Sequence, residues 1–96
     1  MLMIECLIKD QSGGFDVHVD LLDRAIRPFM SNTVGPGRWT IDVGGDQFVE
    51  FSPEEPGLQV TFDDRIDRSL AERVAADVAA NLAALTGISF RIVWIS

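Results

Sequence analysis

The chain has 96 residues, one cysteine, one histidine and no tyrosine, with fifteen acidic side chains against eight basic ones and a net charge of −7 at pH 7. That length holds one domain, large enough to bury roughly 60–70% of its unfolded surface without staples. A single cysteine excludes an internal disulfide and a cysteine-built zinc site, while the acidic balance disfavours nucleic acid and membrane surfaces and favours a basic protein partner.

The opening run MLMIECLIKD alternates, with Leu2, Ile4, Cys6 and Ile8 on one side and Met3, Glu5, Leu7 and Lys9 on the other, as a strand with one buried face would. Cys6 then belongs to the core. The run has no basic leader, carries Glu5 in its middle and is too short to cross a bilayer, so a cytoplasmic location is expected.

QSGG reads as a turn. Phe15, Val17 and Val19 then alternate with Asp16, His18 and Asp20 as a short second strand would. A helix is expected over residues 20 to 27, closed by Pro28. Its exposed side holds Asp20 with Arg24 and Asp23 with Arg27 at i,i+4 spacing, and its inner side Leu21, Leu22, Ala25 and Ile26.

GPG at 35 to 37 breaks the chain before a meander of short strands. Trp39, Ile41 and Val43 alternate with Thr40 and Asp42, Gly44 and Gly45 supply a tight turn, and Phe48, Val49 and Phe51 return. SPEEPG is expected to be a loop, since Pro53 and Pro56 oppose a central strand. Leu58, Val60 and Phe62 form the strand after it.

Ser69 and Glu72 have the S-x-x-E spacing of a capping box, which places a helix start near Leu70. Leu70, Val74, Val78, Leu82 and Leu85, flanked by Ala75, Ala79 and Ala83, make one apolar stripe that must face a sheet. Gly87 stands where a left-handed cap is needed. The run from Ile88 to Ile95 is a final strand with Ile88, Phe90, Ile92 and Trp94 toward the core and Ser89, Arg91, Val93 and Ile95 opposite.

These elements predict an α+β two-layer sandwich in a single domain, residues 1 to 96. A mainly antiparallel sheet of five to six strands has two helices on one face, in the order β(β)αβββαβ. The long helix with its flanking strands should make a right-handed crossover, giving one locally parallel pair. With both helices on one side, Met3, Leu7, Val93 and Ile95 are left on an uncovered sheet face, which marks a partner-binding surface or a homodimer seam.

Two polar groups are candidates for chemistry. Asp16, His18 and Asp20 would project together from a strand and could hold a metal ion or orient a general base, although alternation alone puts polar residues there. Asp63, Asp64 and Asp67, with Glu54 and Glu55 in the preceding loop, make an acidic group that suits recognition of a basic surface; the dipole of the following helix also favours acids at its start. No dinucleotide fingerprint, P-loop or nucleophile elbow is present, so no cofactor is implied.

The reading that joins size, charge and the lack of a catalytic motif is a small acidic cytoplasmic binding protein. It would neutralise a basic protein, as an immunity protein or antitoxin does, and would not be an enzyme. The alternatives are a homodimeric ligand-binding or regulatory module seated on the sheet face, and a small metal-assisted enzyme built on Asp16, His18 and Asp20.

Overall fold

A computed structural model describes residues 4–11, 15, 17–26, 32–33, 39–42, 47–54 and 57–95. The elements in chain order are β1 (Ile4–Asp10), α1 (Val19–Ile26), β2 (Asn32–Thr33), β3 (Trp39–Asp42), β4 (Phe48–Glu54), β5 (Gly57–Phe62), α2 (Arg68–Thr86) and β6 (Phe90–Trp94). The strands form one sheet in the order β2-β3-β4-β5-β1-β6, and every paired neighbour is antiparallel. The expected α+β sandwich is the architecture found.

One side of each strand is apolar and faces the helices. Cys6 and Ile8 of β1, Ile41 of β3, Val49 and Phe51 of β4 and Leu58, Val60 and Phe62 of β5 are fully buried, together with Leu22, Ala25 and Ile26 of α1. From α2 the buried residues are Ala71, Val74, Ala75, Val78, Ala79 and Leu82. The alanines let this helix lie close, and Asn81 ties it to its neighbour by donating from Nδ2 to the Ala25 carbonyl at 3.0 Å. That bond satisfies a carbonyl in the last turn of α1, which has no partner within its own helix.

The expected parallel pair is absent. β5 and β6 run the same way, but β1 lies between them and pairs antiparallel with both. The crossover through α2 therefore skips one strand, and the alternating first segment of the chain fills the gap.

Residues 17 and 18 are not in a strand, and Val19 already belongs to α1. The expected second strand is therefore replaced by an approach to a helix. His18 starts it, its carbonyl accepting from the N–H groups of Leu21 and Leu22 at 2.9 and 3.2 Å. Asp16, Arg27 and Pro28 lie outside the described residues, as do Leu2, Met3, Val43, Gly44, Gly45, Glu55 and Pro56.

β4 continues through Pro53 to Glu54, where a loop was expected. The Asp63 N–H donates to the Phe48 carbonyl at 2.9 Å, so by alternation Glu50, Ser52 and Glu54 turn their backbone groups toward β5 and Pro53 turns toward β3. The last β3 pairing is Trp39 with Phe51. Pro53 therefore has its missing N–H on the side away from β5, and no bond to β5 is lost.

The N-cap of α2 is Asp67 in place of Ser69, its carboxylate accepting from the Leu70 N–H at 2.8 Å. Glu72 instead accepts from Arg68 at 3.4 Å, one turn away. At the other end Gly87 takes the expected left-handed conformation, φ 74°, and donates to the Ala83 carbonyl. Ile88 and Leu85 are exposed where the apolar pattern had turned them inward, because the helix has reached the end of the sheet and β6 starts only at Phe90.

Candidate functional site

The site is built on the sheet face away from the helices. Because Val49 and Phe51 point into the core, Phe48, Glu50 and Ser52 point outward, and the same alternation brings out Thr40, Gln59, Thr61, Glu5, Leu7, Lys9, Arg91 and Val93. Register sorts these into rows across the sheet. Thr40, Glu50, Thr61 and Glu5 stand side by side, as do Ser52, Gln59, Leu7 and Val93, and beyond them Lys9 pairs with Arg91.

The face is thus graded, acidic at one corner, apolar along Leu7 and Val93, and basic at the opposite corner. Phe48, Val93 and Ile95 are among its exposed large hydrophobic residues, at 44%, 37% and 52% of their full accessibility. No described segment covers them. An apolar surface framed by polar groups is the usual form of a protein-docking surface.

A hollow of about 300 Å³ opens at the acidic corner, lined by Thr40, Phe48, Glu50, Thr61 and Asp63. Phe48 supplies an aromatic surface, the two threonines a polar floor, and Glu50 and Asp63 two carboxylates. Asp63 is fixed by its neighbour. The Arg65 guanidinium donates to both Asp63 oxygens, at 3.0 and 2.9 Å, and the Arg65 backbone N–H donates to Oδ1 at 3.0 Å. These bonds from Arg65 hold the Asp63 carboxyl well below the usual carboxylate range.

The acidic residues expected to bind a partner are thereby divided. Asp67 caps α2, Asp63 lines the hollow and braces the turn with Arg65, and Asp64 is exposed beside them. Glu54 lies in β4, and Glu55 is outside the described residues. Of the expected apolar seam, Leu7 and Val93 face one another across β1 and β6, and the Ile95 N–H donates to the Glu5 carbonyl at 2.9 Å one row away. Met3 is outside the described residues.

Sequence reasoning missed Thr40, Phe48, Glu50 and Thr61. The signal was in the alternation of three separate segments, but only strand order and register show that their outward positions converge.

The metal-binding alternative rested on a strand that residues 17 to 19 do not form. His18 and Asp20 are close, with Nδ1 to Oδ2 at 3.6 Å, and their side chains are 74% and 84% exposed. The Asp20 N–H donates to the same Nδ1 at 3.2 Å, so this ring nitrogen caps the start of α1. Among the described residues no group of three or more His, Cys, Asp or Glu could hold a metal ion. Cys6 is fully buried, and that burial pushes its thiol up to about 12, keeping it protonated and unreactive.

Comparison with protein-family models, curated proteins and solved structures finds no match. The geometry alone therefore carries the functional reading. Among the described residues no helix is long and apolar enough to cross a membrane.

Proposed function

We propose that this chain is a small non-catalytic binding protein that neutralises a basic protein partner, in the manner of a cytoplasmic immunity protein or antitoxin, by docking it on the uncovered sheet face. The observation that carries this reading is the hollow lined by Thr40, Phe48, Glu50, Thr61 and Asp63. A lysine or arginine side chain from the partner fits its chemistry. The apolar stem and cationic head would lie over the Phe48 ring while Glu50 and Asp63 accept hydrogen bonds. The net charge of −7 would speed encounter with a basic protein, and the exposed Phe48, Val93 and Ile95 would supply buried area once contact is made.

The test begins with recovery of bound protein from the native host at low and moderate salt, followed by titration of the purified pair. Stoichiometric binding of one basic protein is expected, with association slowing on the order of tenfold or more as salt rises. Glu50→Gln and Phe48→Ala should each weaken the purified complex without altering folding. A complex indifferent to salt and to both substitutions would remove the face and its hollow from the account.

A further inference from the structure

β6 is the last strand of the sheet, and its outer edge has no partner among the described residues. The Gln11 N–H donates to the Ser89 carbonyl at 3.0 Å and the Ile95 N–H to the Glu5 carbonyl at 2.9 Å. In an antiparallel ladder the residues that bond a given neighbour alternate, so Ser89, Arg91, Val93 and Ile95 turn their N–H and C=O groups toward β1. Phe90, Ile92 and Trp94 turn theirs outward, offering three donors and three acceptors along an open edge.

The side chains of this edge are also incompletely covered. Phe90, Ile92 and Trp94 are half-buried at the margin of the core, and Val93 is exposed on the opposite face. No proline or bulge interrupts Phe90–Trp94, and Arg91 is its single charge. A strand of this kind is a template for another strand unless something pairs with it.

We infer that the occupant is β6 of a second copy, joined antiparallel about a two-fold axis at Ile92 to make a twelve-stranded sheet across the dimer. In that register the outward-turned residues all meet their counterparts: Ile92 opposes Ile92, and Phe90 opposes Trp94. Aromatic side chains then close over the seam on the helix side. On the other face Arg91 opposes Val93, so no like charges meet directly. Lys9 and Arg91 pair beside this edge and Arg68 lies over the Trp94 ring at 4.3 Å, so the basic groups of the two copies must stay offset across the seam, as the Arg91–Val93 pairing allows. β1 and β5 separate β6 from the strands bearing Thr40, Phe48 and Glu50. The dimer would therefore leave both hollows accessible.

Sedimentation of the isolated full chain across a concentration series tests the proposal, with hydrogen exchange as a second readout. The expected species has twice the 10.6 kDa chain mass, and its Ile92 and Trp94 amides exchange more slowly as dimer forms. Val93→Lys alters an exposed side chain and puts a cation opposite Arg91 twice per dimer; the dissociation constant should rise about tenfold. The double variant Arg91→Glu, Val93→Lys should restore the dimer, with circular dichroism confirming the fold throughout. A chain that stays monomeric at every concentration, or a dimer that ignores Val93→Lys, overturns the inference. Protection of the Ile92 and Trp94 amides only when a basic partner is added would assign the edge to that partner and also overturn it.

Discussion

Asp63 joins local structure to the proposed site, because the bonds that shape its turn also keep it ionised. Its carboxyl lies below the usual range through the guanidinium and backbone N–H of Arg65, whereas in the unfolded chain it returns to about 3.9. The sign follows from linkage: the contribution is fully present above the unfolded value and is lost as pH falls through the folded one. Urea midpoints measured from neutral to acid pH should therefore fall on the acid side in the wild type. Asp63→Asn should flatten part of that decline, and an identical pH profile in the variant would show that the bracing contributes nothing. The pattern D-D-R-x-D in the sequence shows acids before a helix but not which carboxylate meets which donor. Asp63 and Asp67 carry the same carboxylate and differ in role because Asp63 meets Arg65 and Asp67 meets the Leu70 N–H.

At the level of elements, α2 shows how a correct helix can be assigned the wrong cap. Ser69 and Glu72 have the right spacing, yet Asp67 begins the helix one step before Arg68 and accepts from Leu70. Asp67→Ala should cost about 1 kcal/mol, whereas Ser69→Ala, an exposed change inside the first turn, should stay within about 0.5 kcal/mol; denaturant unfolding of both variants decides between the caps. Period was legible elsewhere: the stripe of α2 as far as Leu82, the burial of Cys6 and Ile8, and the left-handed Gly87 stand as the sequence implies, while Leu85 at the end of the stripe is exposed. What failed was the end or identity of elements under competing local rules. Val17 and Val19 alternate like a strand, but Val19 enters a helix started by His18. Pro53 opposes a strand by propensity, yet its missing N–H is turned away from β5, so that pairing is kept.

For the whole molecule, the governing feature is that one sheet has a covered face and an open one. Phe51 and Phe48 are three positions apart in β4 on opposite sides, fully buried and 44% exposed respectively. Phe51→Ala should cost about 3–5 kcal/mol through lost burial and the cavity left behind. Phe48→Ala should cost less, about 1 kcal/mol, so its effect on partner binding can be measured in a folded protein. Equal losses on urea unfolding would mean that the outer face is not open. The hollow could not be read from the chain because it depends on strand order: Thr40, Glu50 and Thr61 come from three segments that only register places side by side.

The same order has a consequence for how the protein is made. Cys6 pairs with Val60 on one side and Trp94 on the other, so the strand synthesised first among the described residues waits for two of the last. Contacts of such long span close slowly, because most of the chain's freedom must be lost before they form. Until β5 and β6 arrive, the segment from Ile4 to Asp10 carries two unpaired edges and an apolar side. A nascent chain in that condition is a natural client for a chaperone, and refolding in its absence should be slow and sensitive to concentration.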